Sequence, residues 1–457
     1  MIKHKTAILV SIALVAGSAS GRAQETVPQR AASQARAASA DAYLDALVAE
    51  ALRNNPDAAA ASHAADAARL RIEPARALPD PTVSVNYQND GRSPSLGSRD
   101  MTFVGAMFSQ PLPWPGKLKL AGDEARSRAD EAAEGPVRRA AIAVEARVRR
   151  AYYDFLLARE ELGLVEDRAR SWREIADIVR ERYAVGLGVQ QDVLRAQVEV
   201  LRLDEARMEQ NARVANRRAE LNRVLGRAQD APIETPARLV LREDLPDLAA
   251  LLPAVRDRSP ELAGSSRGIE SARLRADLAK KSLLPDFVAS GGPMYRGGLD
   301  PMWQVGVAIS LPVYAGARQR PLIAAAQADV RTEEARASSL RQELELLTRE
   351  RFQNLAAASK IARLYDEGVL PVDRLSLESA VASYRAGKVP FVTVLEALNT
   401  LYADRLLLLT RIAESEKWRV AIDEADLRGG SAMAAAASPS AAAPVSPAGM
   451  SSTSPMR

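Results

Sequence analysis

Hydrophobic and polar residues follow a helical period through most of the chain and a two-residue period in four short segments. The first helical pattern begins with Tyr43, Leu47 and Ala51 and stops at Pro79 and Pro81, because proline cannot continue a helix. The segments in which apolar and polar residues alternate predict strands with one apolar and one polar face. The four predicted strands span about 82–90, 102–110, 287–293 and 303–311.

Two long helical stretches each end in a short turn and return as a second helix. They run from Lys117 to Tyr183 and from about Arg318 to Tyr384, and a helix of this length would reach roughly 100 Å. The turn segment 183–196 recurs as 384–397, with Tyr, Gly, Val, Leu and Ala at identical offsets. The pattern predicts an internal twofold repeat of antiparallel coiled-coil hairpins, with tips at about 184–189 and 385–390.

Changes in composition set the boundaries of the repeats. Lys3 and Lys5 precede an apolar run and then small residues, which is typical of a secretory signal peptide over residues 1–23. The polar, Ala-rich segment 24–40 is predicted to be flexible, and the Ala/Ser/Pro-rich tail 428–457 to be disordered. Between them we place repeat 1 (41–225), a Pro- and charge-rich linker (226–246) and repeat 2 (247–427).

The composition excludes most kinds of chemistry. The chain has no cysteine and only two histidines, His4 and His63, so it lacks the material for a disulfide, a thiolate nucleophile, a metal cage or a Ser/His/Asp triad. We therefore predict no enzyme activity, no cofactor, no metal site and no lipid anchor on cysteine. Without the signal peptide, 59 basic residues stand against 58 acidic ones, and this balance argues against nucleic-acid binding.

The four strands restrict the protein classes that the helices alone would allow. A soluble periplasmic coiled-coil adaptor explains the hairpins but gives the amphipathic strands no role. In a membrane, strands must close into a barrel, because an open edge leaves backbone groups unpaired. Outer-membrane barrels begin at about eight strands, so four strands per chain predict closure by several copies. An ordinary soluble sheet is the other alternative.

The order of elements, the duplication and Tyr-x-x-Gly…Val-Leu-x-Ala at both turns resemble the TolC-type outer-membrane efflux channels. Leu78-Pro-Asp-Pro81 and Pro113-Trp-Pro-Gly-Lys117-Leu118 are most similar to the branch that serves heavy-metal pumps of the cobalt–zinc–cadmium and copper–silver type. The resemblance implies a homotrimer with a twelve-stranded β-barrel in outer-membrane lipid and an α-barrel in the periplasm. It also implies a periplasmic adaptor and an inner-membrane resistance–nodulation–division pump as partners. A channel for type I secretion or for organic compounds and drugs has the same fold and stays open as an alternative.

The resemblance also points to a gate at the hairpin tips. In the family, acidic residues just after the second turn form rings that favour cations. Glu396 matches one of these positions, Thr393 replaces the other, and Asp192 stands in the first hairpin. The alternatives are that Glu396 belongs to an ordinary solvated helix face and that Asp192 caps its helix.

Two further sets of residues follow from the resemblance. Adaptor contacts are expected at both turns, where the glycines would also suit a helix end. Tryptophans at strand ends suit a membrane interface, with plain packing as the alternative. The turn residues are Gly186, Leu187, Gly188, Gly387, Lys388 and Val389, and the tryptophans are Trp114 and Trp303.

Overall fold

The computed structural model describes residues 27–96, 99–234, 237–242 and 244–425. The predicted signal peptide and the predicted disordered tail at 428–457 lie outside these residues. The helices are α1 (Val27–Asn54), α2 (Pro56–Leu70), α3 (Ile72–Arg76), α4 (Lys117–Ala132), α5 (Arg138–Ala184), α6 (Gln190–Leu225), α7 (Leu248–Arg258), α8 (Pro260–Lys281), α9 (Gln319–Leu364), α10 (Leu370–Arg385) and α11 (Phe391–Glu424). The strands are β1 (Thr82–Gln88), β2 (Phe103–Leu112), β3 (Asp286–Arg296) and β4 (Leu299–Ser310).

Apart from the short helix α3, which has no counterpart between α8 and β3, the same order of helices and strands occurs in both halves of the chain. The predicted fold class, mainly α with a small β part and an internal twofold repeat, is therefore confirmed. The repeats also agree in detail, because α2 and α8 begin alike: Asn55 and Ser259 are the N-caps, and a proline follows each of them. Proline is favoured at the first helical position, since its missing N–H would have no partner there. Between the halves, the described residues of 226–246 form no helix or strand.

The N-terminal helix is longer than the sequence pattern predicts. Because α1 begins at Val27, residues 27–40 are helical, although they were expected to be flexible. The segment is rich in alanine, which has the highest intrinsic helix propensity. It runs without a proline or glycine from Gln29 into Leu44 and Leu47, which are buried. Packing of these two leucines stabilises the helix at its C-terminal end.

The four strands form one antiparallel sheet in the order β1-β2-β3-β4. Val85 pairs with Ala106, Phe108 with Gly291, and Gly291 in turn with Val305, and residues paired in register share a face. One face of the sheet is therefore apolar across all four strands. Ten large side chains of this face are exposed in the single chain, whereas Phe287 is half-buried; the ten are Val83, Val85, Tyr87, Val104, Phe108, Tyr295, Trp303, Val305, Val307 and Ile309.

β3 and β4 form a tight hairpin that extends beyond the predicted strand ends at 293 and 303. Arg296 pairs with Leu299 across a two-residue turn, Gly297-Gly298, in which Gly297 has a φ of +70°. Two-residue hairpin turns require a positive φ, which glycine adopts without a steric cost. The Gly-Gly pair thus allows both strands to continue up to the turn.

A π-helical turn interrupts the long helix of each repeat. The first, Ala133–Val137, contains the Gly135-Pro136 pair at which the sequence predicts a kink. α8 crosses the chain there: a Cβ on Gly264 would lie 3.1 Å from the Cα of Gly135, so the two backbones are in contact. The second, Tyr365–Val369, lies within a stretch that the sequence pattern predicts to be a continuous helix.

Within the described residues, three hydrophobic cores pack helices against one another. One packs α5, α6, α10 and α11 around Trp172 and Phe391, close to the hairpin turns. Another packs α1 on α5 and α6 around Leu44 and Tyr152, and the third joins α7, α9 and α11 around Leu355. Throughout the described ranges, no helix combines the length and the apolar character that crossing a membrane requires.

Candidate functional site

The first hairpin turn is closed by a Schellman motif. The N–H of Leu187 donates to the carbonyl of Arg182 at 2.9 Å, and the N–H of Gly186 donates to that of Tyr183 at 3.0 Å. Gly186 has the left-handed φ of +74° that this motif requires. Gly188 is needed for a different reason, because a Cβ on it would lie 3.1 Å from the backbone nitrogen of Tyr183. Both glycines therefore have a local structural role.

The second turn repeats the first in its backbone hydrogen bonds. The N–H groups of Lys388 and Gly387 donate to the carbonyls of Ser383 and Tyr384, each at 2.9 Å. Gly387 has a φ of +72°, close to that of Gly186. The duplicated sequence thus folds into duplicated turns, although the side chains around them differ.

The two turns differ in the surface that they expose. In the first, Val185, Leu187 and Val189 are 69%, 67% and 58% exposed. In the second, Lys388 is exposed, whereas Val389 is half-buried against the core beneath it. One tip therefore presents an apolar surface and the other presents a cation.

An aromatic core shared by both hairpins lies directly beneath the turns. The Trp172 ring, which is completely buried, meets the Phe391 ring at 6.3 Å, and the Tyr384 ring meets Phe391 at 5.7 Å. Trp172 belongs to the first hairpin, and the other two rings belong to the second. The tips of one chain are therefore packed on each other through three rings.

Arg182, which sequence reasoning did not identify, connects the two turns. Its Nη1 donates to the carbonyl of Tyr384 and, at 2.7 Å, to that of Arg385, and its Nη2 donates to the carbonyl of Leu187 at 2.8 Å. The guanidinium carbon also lies 4.7 Å from the centre of the Tyr384 ring. Carbonyl oxygens at a helix C-terminus carry partial negative charge, which favours a cation. The position that matches Arg182 in the second repeat is Ser383, so the duplication itself carries no signal for this residue.

Asp192 lies at this contact and faces the second hairpin. It stands in the first turn of α6, whose N-cap is Val189, and no side chain caps the helix. The capping role considered for Asp192 is therefore not found. Burial raises the pKa of the Tyr384 hydroxyl, the negative charge of Asp192 raises it further, and the nearby Arg182 lowers it. The charge of Asp192 in the first hairpin therefore acts on a tyrosine of the second.

Glu396 and Thr393 lie on the return helix of the second hairpin. Glu396 is exposed and forms no ion pair within the described residues. Thr393 is half-buried, and its N–H donates to the carbonyl of Pro390 at 3.1 Å. The carboxylate of Glu396 is thus available to solvent or to another copy, whereas Asp192 is engaged between the hairpins. Whether either residue faces a pore stays a prediction.

The two tryptophans lie toward opposite ends of the sheet. The Trp114 ring stacks on Phe287 at 5.8 Å, next to the point where β2 leads into α4. Trp303 lies on the apolar face opposite Pro293 and is 77% exposed. Packing therefore accounts for the position of Trp114, while nothing in the single chain covers Trp303. Their placement at a membrane interface stays a prediction.

Residues 47–227 and 251–421 match the protein family described as outer membrane efflux protein. The chain is 24% identical to the cobalt-zinc-cadmium resistance protein CzcC of Cupriavidus metallidurans, over 85% of this chain and 90% of that protein. It is 27% identical to the fusaric acid resistance protein FusA of Burkholderia cepacia, over 72% of this chain and 66% of that protein. Its fold matches that of the outer-membrane channel OprN with a TM-score of 0.71 at 18% identity, over 84% of this chain and 89% of that one.

The family match covers most of both repeats, and the fold agrees with it independently. Among the described residues, no group of three or more His, Cys, Asp or Glu side chains is placed to hold a metal ion. Because the family match spans most of its length, the chain belongs to the outer membrane efflux protein family, whose members are channels and not enzymes, and it is a channel protein of the Gram-negative outer membrane that extends into the periplasm.

Proposed function

We propose that three copies of this chain form the exit duct of a tripartite pump that exports metal cations. The observation that carries the proposal is the sheet. It has one continuous apolar face, and within the described residues its edge strands β1 and β4 each pair on one side only. Each backbone group left unpaired in lipid costs several kcal/mol, so the edges must find partners. Three sheets joined edge to edge give a closed barrel of twelve strands, within the size range of outer-membrane barrels.

The helices carry a matching apolar surface. Leu194, Val198, Leu201 and Met208 follow one another in steps of four, three and seven along α6, with Glu205 interrupting the row, and each of the four is between 47% and 68% exposed. Apolar residues at such spacings are typical of a coiled-coil seam, yet within the described chain these four side chains are about half exposed or more. Val372 and Leu375 on α10 are likewise 64% and 65% exposed. Packing of one copy on the next would bury such rows, as in a coiled coil.

The tips are the proposed contact surface for a periplasmic adaptor, which would connect the duct to an inner-membrane pump of the resistance–nodulation–division class. The exposed apolar turn at Val185, Leu187 and Val189 supports this assignment, since such a patch is typical of an interaction site. We infer that the duct is closed at rest by the packed tips and opens when the adaptor separates them. No bond chemistry is involved.

Metal cations are the proposed substrates because of the likeness to CzcC and the two motifs of the heavy-metal branch. A second candidate is the export of organic compounds, which the likeness to FusA supports. Type I secretion is a third use of the same fold.

Deletion of the gene distinguishes these substrates. We expect the deletion strain to become several-fold more sensitive to zinc, cobalt, cadmium, copper or silver, and the wild-type gene to restore resistance. Fusaric acid and a panel of drugs serve as the comparison. Sensitivity to the organic compounds alone would contradict the metal proposal while leaving the duct in place.

Neutralising Glu396 is expected to reduce the preference of the channel for cations. Threefold symmetry turns this free carboxylate into a ring of three, which attracts cations into a narrow opening. We expect Glu396→Gln to lower the cation-over-anion permeability ratio in planar bilayers several-fold, with trimer stability unchanged. Glu73→Gln, an exposed glutamate on α3 near the sheet, is the matched control. Equal permeability ratios in all three proteins would show that Glu396 does not face the pore.

A further inference from the structure

A polar and aromatic junction inside the chain fixes the end of β2 to the beginning of β3. The Nζ of Lys117 lies 2.8 Å from an Asp286 carboxylate oxygen and donates to the carbonyl of Leu284 at 3.1 Å. The backbone N–H of Trp114 donates to the same carboxylate oxygen at 2.8 Å, and the Trp114 ring stacks on Phe287. Repeat 1 supplies the lysine and the tryptophan, and repeat 2 supplies the other residues. This contact therefore joins the two repeats where the sheet meets the helices.

The internal repeat provides each half of this junction a second time. Leu284-Pro285-Asp286, which leads into β3, matches Leu78-Pro79-Asp80, which leads into β1. Leu112-Pro113 at the end of β2 matches Leu311-Pro312 after β4. After Leu311-Pro312 come an aromatic residue, Tyr314, and a basic residue at the start of a long helix, Arg318. β4 and β1 are the two opposite edges of the sheet, so these halves lie apart within one chain.

The second set of residues is open to solvent in the single chain. Tyr314 is 78% exposed, and Asp80 and Arg318 are also exposed. Within the described residues, neither Asp80 nor Arg318 forms an ion pair, in contrast to Lys117 and Asp286. The Asp80 segment is nevertheless held in place, because the side-chain amide of Gln110 donates to the carbonyl of Pro79 at 2.8 Å. Asp80 therefore follows an anchored residue at the β1 edge of the sheet, and Arg318 lies beyond the β4 edge.

The strand register is consistent with a second copy at this edge. Inside the sheet, Phe108 pairs with Gly291. In the internal repeat, β4 corresponds to β2 and β1 corresponds to β3, so that Val307 matches Phe108 and Val85 matches Gly291. If β4 of one copy pairs with β1 of the next in the same way, Val307 lies opposite Val85. Both valines lie on the apolar face, as residues paired across neighbouring strands must. A shift of one residue would place apolar side chains opposite polar ones.

We propose that Arg318 of one copy binds Asp80 of the adjacent copy, and that Tyr314 of the first packs on Pro81 of the second. This interface rests on the proposed homotrimer. It would form between two copies the same kind of junction that Lys117 and Asp286 form within each copy. The chain from Pro312 to Arg318 is two residues longer than that from Pro113 to Lys117. The long and planar guanidinium of arginine reaches across this wider loop and matches the two oxygens of a carboxylate.

The absence of native cysteine allows a direct test by crosslinking. The double variant Asp80→Cys/Arg318→Cys, treated in membranes with a short bismaleimide, is expected to give covalent dimers and trimers in denaturing gels. Each single variant should give monomers only. Lys117→Cys/Asp286→Cys is the positive control, because it should react efficiently but remain a monomer. Native mass spectrometry of the same samples reports whether the trimer has formed.

A second arm uses charge reversal. Asp80→Arg is expected to lower the temperature at which the detergent-resistant trimer dissociates, and Asp80→Arg/Arg318→Asp to restore much of that loss, since coupled residues do not act additively. An intact trimer without crosslinks at positions 80 and 318, or a double variant as weak as the sum of its parts, would overturn the assignment of this pair. A wild-type chain that is monomeric would instead overturn the proposed duct.

Discussion

The Arg182→Ala variant is expected to conduct in planar bilayers well above the level of the wild-type channel. Arg182 holds the second turn to the first through the carbonyls of Tyr384 and Arg385, and it binds its own turn through Leu187. Its removal leaves two helix-end carbonyls and one turn carbonyl without their cation. A hydrogen bond to a charged group contributes about 1.5–3 kcal/mol, so a loss of about 2 kcal/mol per copy would favour separated tips about 30-fold.

Two controls separate the role of Arg182 from a general effect of charge. Arg180→Ala removes a neighbouring arginine that pairs with Asp177 on the surface of the same helix, and we expect its conductance to equal that of the wild type. Arg182→Lys keeps the charge but loses the planar fork that binds several carbonyls at once, so an intermediate conductance is expected. Wild-type conductance of Arg182→Ala, in trimers of normal stability, would show that this contact does not keep the tips together.

The turns illustrate how much of the candidate site the sequence contains. Gly186 and Gly387 are recognisable because a helix that ends in a Schellman motif needs a left-handed residue, and glycine takes that conformation most readily. This requirement is local, so a segment of a few residues is enough to predict it. The strands are predictable for a similar reason, since alternation shows directly that a strand has one apolar face.

The contacts of Arg182, by contrast, cannot be predicted from a short segment of sequence. Its main partners are backbone carbonyls more than 200 positions away, and any sequence provides carbonyls, so no residue type marks the acceptor. Asp192 is recognisable as an acidic residue after a turn, but its charge acts on Tyr384 only because the two hairpins pack together. Family resemblance is enough to locate the tips, whereas the contact that joins them exists only in the folded chain.

The helix that begins at Val27 and the second π-helical turn show two further limits. Residues 27–40 look unstructured because they lack an apolar stripe, yet alanine allows a helix to extend from a buried segment such as Leu44–Leu47. The turn at Tyr365–Val369 contains Gly368 and lies just before Pro371, two residues that can interrupt a helix, but the hydrophobic pattern continues through them. Hydrophobic periodicity reports which face is buried and is insensitive to the backbone bonding within the helix.

Gly292→Ala is expected to abolish assembly of the outer-membrane channel, although it adds a single methyl group. A Cβ at this position would lie 1.9 Å from the carbonyl oxygen of Ala106 and 3.1 Å from the Cα of Met107. Both are backbone atoms of β2, so no side chain can rotate away. Relief requires β2 and β3 to separate between the pairs Gly105–Met294 and Phe108–Gly291, in the part of the sheet where repeat 1 meets repeat 2.

Separation at this point removes the continuity on which a closed barrel depends. Overpacking of a well-packed site costs about 1–3 kcal/mol even where side chains adjust, and here the cost falls on the backbone of every copy. We therefore expect little or no heat-resistant trimer in outer-membrane fractions. Gly298→Ala in the β3–β4 turn, where an added Cβ meets no atom within 4 Å, should assemble like the wild type. Normal amounts of Gly292→Ala trimer would mean that β2 and β3 do not approach this closely in the assembled channel.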